Sequence, residues 1–121
     1  MANRPSVLIV DDDPAIRKML VEVLSLEGFP TETANNGREA LDRLATSGPR
    51  SVLLDLMMDG MDGWEMMEEL NENPGERTKH KIILVSALER LNLDRTRNLG
   101  ADGTLAKPFT VPQLLNVLEP A

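Results

Sequence analysis

Two stretches of this chain, "SVLLD" ending on Asp55 and "KIILVS" ending on Ser86, run apolar without a polar alternate. A strand with one face in water alternates; a strand that does not must be buried on both faces, as in parallel sheets covered by helices. A third run, Ser6 to Val10, stops at Asp11. Helical patterns separate these strands. Asp13-Pro14 reads as a helix start, with Asp13 as N-cap and Pro14 in the first helical position. Behind it Ile16, Met19, Leu20, Val23 and Leu24 form one apolar stripe, and Gly28 closes the helix. A weak strand follows at Pro30 to Ala34, and "NNG" opens a helix carrying Ala40, Leu41, Leu44 and Ala45. Another helix covers Asp62 to Asn71, and a poorly amphipathic one covers Glu89 to Asn98. A short strand at Gly103 to Ala106 leads to a last helix from Thr110, predicted to bury Val111, Leu114, Leu115 and Leu118.

Five βα units predict an α/β fold, doubly wound and flavodoxin-like, (βα)5 with a five-stranded parallel sheet in the order 2-1-3-4-5. The 121 residues suit a single domain over 1–121, with no output domain in this chain. A net charge of −7 argues against direct nucleic-acid binding, which needs a basic face. Arg90, Arg95 and Arg97 read as solvated helix charge. No apolar run approaches the ~20 residues of a membrane span, and "MANRPSVLIVDDD" is too briefly apolar for a secretory signal, so the expected location is cytoplasmic. The lack of cysteine excludes disulfides and thiolate metal sites. Met19, Met66 and Met67 fall at core-like helical spacing. His80, beside lysines and without a partner at zinc spacing, reads as a surface residue.

The ligand site of such a sheet lies outside the carboxyl ends of its strands, and the polar residues that interrupt the apolar pattern fall there. Asp11 and Asp12 end strand one, Asp55 ends strand three, Ser86 ends strand four and Lys107 follows strand five. With strands ~4.8 Å apart, the three carboxylates share one pocket. Two carboxylates about 4 Å apart repel by about 4 kcal/mol at an effective dielectric of about 20, so a cation is required. Oxygen-only ligands favour a hard ion, Mg²⁺ above all. A lysine and a hydroxyl facing acids and a metal match the needs of phosphoryl transfer. With no histidine or cysteine there, the nucleophile would be a carboxylate, giving an acyl phosphate. Singly, each residue also has a plain reading: Asp11 and Asp12 as helix-start charge, Asp55 as a turn residue, Lys107 as surface charge. Jointly at one sheet edge, the plain readings fail together.

These residues resemble the receiver domain of two-component response regulators. The likeness spans the chain and rests on "VLIVDDDP", "LLDLMMDGMDG", "ILVSA" and "LAKPF" in order and spacing. It implies Asp55 as phosphoacceptor, Asp12 as direct metal ligand, Asp11 as the acid holding a metal-bound water, and Met57 as donor of a backbone carbonyl. It further implies that Ser86 bonds the attached phosphoryl group and that Lys107 pairs with it, with Mg²⁺ (or Mn²⁺) as cofactor. The implied donor is a phosphohistidine on a histidine kinase or histidine phosphotransfer protein. The implied output is a protein target read through the face around residues 87–119, by a domain that is not a turnover enzyme although it promotes its own phosphorylation and dephosphorylation. Two positions depart from the family pattern. Asp59 stands where proline is usual, and Thr104 stands where an aromatic or bulky switch residue is usual.

Two rival readings follow from the same residues. "LIVDDD" also reads as strand–Asp-x-Asp, the nucleophile pattern of haloacid-dehalogenase-like phosphohydrolases, making Asp11 the nucleophile and Asp13 the acid/base. That reading leaves Asp55 idle and the chain too short for the family's cap. A phosphorylation-independent interaction module is the third; Thr104 favours it, while Asp12, Asp55, Ser86 and Lys107 oppose it.

Overall fold

The computed structural model describes residues 5–58, 60–87 and 91–119. Five parallel strands, β1 (Val7–Val10), β2 (Thr31–Ala34), β3 (Ser51–Asp55), β4 (Lys81–Ala87) and β5 (Gly103–Lys107), lie in the order β2-β1-β3-β4-β5. The predicted architecture and strand order are therefore both present. Register is continuous across the sheet centre, with Val10 beside Leu54, Leu54 beside Leu84 and Leu84 beside Thr104.

Alternate residues of each central strand feed opposite cores. Leu8, Val52, Leu54 and Ile82 point to one side, against Ala40 and Leu44 of α2 (Gly37–Ala45) and Met66 and Met67 of α3 (Gly63–Asn71). Ile9, Leu53, Ile83 and Val85 point to the other, against Leu20 and Leu24 of α1 (Pro14–Leu26) and Leu114 and Leu118 of α6 (Val111–Leu118). Two-sided burial is the reason the strands carry no polar alternates.

The expected helix ends hold. Asp13 accepts from Ala15 N at 2.9 Å and Ile16 N at 3.4 Å, Pro14 follows it, and Gly28 takes a φ of 87° just past α1. Asp62 and Glu65 close a capping box on α3. Gly63 lets α3 approach β3 closely: a Cβ there would sit 2.7 Å from the Asp55 carbonyl oxygen and 2.9 Å from Leu56 Cα.

Several expectations are corrected. Met19 is 45% exposed and Val111 44%, so neither belongs to the core, and Leu115 is only partly buried. Leu20 and Leu24 define the inward line of α1, and Met19 stands about 100° around the helix from Leu20. Val111 opens α6 at the sheet's rim. The helix expected at Glu89 to Asn98 is α5 (Leu93–Asn98), because Asn92 caps it by accepting from Arg95 N at 2.9 Å. Glu89 and Arg90 lie outside the described residues. A short helix not foreseen, α4 (Pro74–Lys79), precedes β4, with Asn73 as N-cap and Pro74 at its start. It buries His80, which is 3% exposed rather than on the surface. The imidazole Nδ1 accepts from Arg50 N at 3.2 Å and Nε2 lies 2.9 Å from Glu76 Oε1.

Candidate functional site

At the carboxyl edge, β1 stops at Val10 and the chain crosses Asp11, Asp12 and Asp13 before α1 begins. Asp11 is 4% exposed and fastened at several points. Its N–H donates to Ala34 O at 3.3 Å, and its Oδ1 accepts from Asp13 N at 2.9 Å. Its carbonyl accepts from Arg17 Nη1 at 2.6 Å. Asp55, 6% exposed at the end of β3, accepts from Met57 N through Oδ1 at 3.0 Å. Asp12 is exposed at the mouth.

Carboxylate oxygens of Asp11, Asp12 and Asp55 all lie within 4.8 Å of one another. Lys107, at the end of β5, puts Nζ 3.4 Å from Asp55 Oδ2 and 3.7 Å from Asp11 Oδ2. Burial raises the Asp11 carboxyl above its ordinary 3.8, the nearby Asp55 charge raises it further, and the Asp13 N–H and Lys107 partly restrain it. The floor below is apolar, lined by Ile9, Ile16, Leu20, Leu53, Val85 and Phe109. Three carboxylates with no nitrogen or sulfur donor in the cluster form an oxygen donor set that fits a hard divalent cation.

The remaining sequence candidates divide. Ser86 is 2% exposed near the end of β4, in register with Ala106. Met57 follows the Asp55 turn, half exposed. Thr104 sits three residues before Lys107, in register with Leu84, and lines an outer groove with Gln113 and Asn116 of α6. It is therefore not gathered with the acids. Asp59 lies outside the described residues. Arg17 was not foreseen: it falls three residues before Leu20, on the inward line of α1, where a charge gives no apolar signal.

The fold and this edge define an open, doubly wound α/β domain with its acidic pocket at the strand ends. Residues 7–119 match the profile described as "Response regulator receiver domain". Response regulator MprA of Mycolicibacterium vanbaalenii is 39% identical over 111 residues, covering 90% of this chain and 46% of that protein. Response regulator MprA of Mycobacterium tuberculosis is 38% identical over the same shares of each chain. Among solved structures, Vibrio cholerae chemotaxis protein CheY4 superposes with a TM-score of 0.84 at 28% identity, covering 96% of this chain and 97% of that one. The signal receiver domain of a signal transduction histidine kinase from Syntrophus aciditrophicus gives 0.83 at 30%, covering 95% and 87%. The chain belongs to the response regulator receiver domain family.

It is thus a signalling domain of two-component systems, whose members work with histidine kinases or phosphotransfer proteins, and the phosphohydrolase reading is set aside. The chain spans about half the length of the curated relatives it matches. Among the described residues, no helix is long and apolar enough to cross a membrane.

Proposed function

We propose that this receiver takes a phosphoryl group onto Asp55 from a phosphohistidine of a histidine kinase or phosphotransfer protein. A carboxylate oxygen of Asp55 attacks phosphorus, the P–N bond breaks, and the departing imidazole takes up a proton, leaving an acyl phosphate. The observation that carries this reading is the pairing of buried Asp55 with Lys107 at 3.4 Å, beside two further acids.

Asp12 and Asp55 would hold Mg²⁺, or Mn²⁺, directly, Met57 through its backbone carbonyl, and Asp11 through water. When bound, the ion neutralises charge gathered around the transferring group. Lys107 neutralises one phosphoryl oxygen, and the Ser86 hydroxyl donates to another once the group is attached. The added charge of about −1.5 to −2 is then read by a protein target at the face around residues 87–119. Such a domain promotes its own phosphorylation and dephosphorylation without turning over a substrate. It works in the cytoplasm, and residues 1–121 form one receiver domain that does not itself contact nucleic acid.

Incubation with acetyl phosphate and Mg²⁺ is expected to add one acid-stable, base-labile phosphoryl group. Intact-mass analysis should find it in the wild type and not in Asp55→Asn. Undiminished labelling of that variant would overturn the assignment.

A further inference from the structure

We infer that Arg17 is a positioning residue for the acidic pocket, setting the mutual orientation of Asp11 and Asp12 and with it the pocket's affinity for a divalent cation. This inference rests on the phosphoacceptor reading of the site.

β1 pairs on both sides only as far as Val10, which stands beside Ala34 and Leu54. The next carbonyl, that of Asp11, leaves the ladder in a residue only 4% exposed. A buried carbonyl needs a donor. Pro14, which opens α1, has no N–H to give. The Asp13 N–H is already bonded to Asp11 Oδ1, and those of Ala15 and Ile16 to Asp13 Oδ1. Arg17 supplies the bond, reaching back from the first turn and a half of α1 with Nη1 2.6 Å from the carbonyl oxygen.

That carbonyl belongs to the peptide plane joining Asp11 to Asp12. Holding the plane fixes the ψ of Asp11 and the φ side of Asp12 together, so one guanidinium governs the angle between two of the three carboxylates. A charged donor makes the bond short and directional. Asp11 is thereby fixed through its N–H, its Oδ1 and its carbonyl, while its Oδ2 faces Lys107.

Charge and geometry give opposite signs, which makes the inference decidable. As a bare positive charge beside the pocket, Arg17 would repel a cation, and its removal would tighten binding. As the clamp on the peptide plane, its removal lets the carboxylates drift and weakens binding, by about tenfold if it acts as a ligand-orienting partner. Mn²⁺ binding to the whole chain, followed by the free-ion electron paramagnetic resonance signal, with Mg²⁺ measured by competition, reads the difference. Arg17→Ala is expected to raise Kd about tenfold, Arg17→Lys to recover part of the loss, and saturating Mg²⁺ to restore full acetyl-phosphate labelling of Arg17→Ala. Equal or tighter binding by Arg17→Ala overturns the inference, as does a loss of binding explained by melting below the assay temperature. Wild-type protein that binds neither ion, or labels away from Asp55, would instead overturn the site reading on which the inference stands.

Discussion

The two ends of the sheet both collect charge, and they handle it differently. At the amino end, Arg77 is 11% exposed in its side chain and donates to His80 O at 2.9 Å, to Gly100 O and to Asp102 Oδ2 at 3.1 Å. Asp102 Oδ2 also accepts from Ile82 N at 2.7 Å, and His80 uses both ring nitrogens. Charges there are matched to partners and serve to tie α4, β4 and the approach to β5. At the carboxyl end, two buried carboxylates face a single ammonium among the described residues, with Asp12 alongside. The first network ties elements of the fold together; the second gathers three carboxylates at the open edge of the sheet. The difference lies in the balance of charge, not in how many charges are buried.

The largest expected effect breaks the amino-end network. Arg77→Ala removes three bonds of a nearly buried guanidinium and leaves the buried His80 carbonyl without this donor, a loss of about 2–3 kcal/mol. Asp102 is 42% exposed in its side chain, which favours the lower figure. A fall in Tm of about 10 °C is expected by circular dichroism, with acetyl-phosphate labelling retained well below that temperature. A Tm within two degrees of wild type, roughly the scale of a neutral surface change, would erase the contrast between the ends.

An effect of opposite sign is expected at the carboxyl end. Asp11→Asn relieves repulsion, keeps the acceptor for Asp13 N, and should raise stability at pH 7 without added metal by up to about 1 kcal/mol, modest because the mouth is solvated. Because burial holds the Asp11 carboxyl above its ordinary 3.8, the wild-type carboxylate costs stability above that value. The advantage of Asp11→Asn should therefore shrink as pH falls through the raised value. Thermal melts across pH check this, and an advantage that grows on acidification would contradict it.

The smallest effect returns to the amino end. His80, and then Lys79, hold the Glu76 carboxyl below its ordinary 4.5. Its stabilising contribution is complete above 4.5 and is lost as pH falls through the lowered value. Glu76→Gln should melt slightly below wild type at pH 7, and the two curves should converge in acid. A constant gap would show that the imidazole–carboxylate pair is not its source.

Much of the fold was legible because strands buried on both faces have no freedom to alternate, so "SVLLD" and "KIILVS" announced a parallel sheet and Asp11, Asp55 and Lys107 fell at its edge. What stayed hidden was carried by polar residues in buried places. His80 lies in "NPGERTKHK", a stretch with no apolar period; only Asn73-Pro74 signalled a helix start. Arg17 occupies the inward line of α1 with Leu20 and Leu24, yet an apolar template counts Met19 instead. Pattern reading finds buried hydrocarbon and passes over a half-buried guanidinium, because the latter is placed by a carbonyl that only the folded turn exposes.

The glycine at position 63 has a mechanical consequence. With no side chain between them, the first turn of α3 rests on the carbonyl oxygen of Asp55, where an added Cβ would stand only 2.7 Å away. The joint has no slack. The next residue, Trp64, carries Arg95 of α5 over its ring at 4.4 Å, and Arg95 also reaches Glu68 at 3.2 Å. A backbone shift at Asp55 too small to repack either core would therefore press directly on the first turn of α3, as a lever seated on its fulcrum passes on a movement that a cushioned contact would absorb.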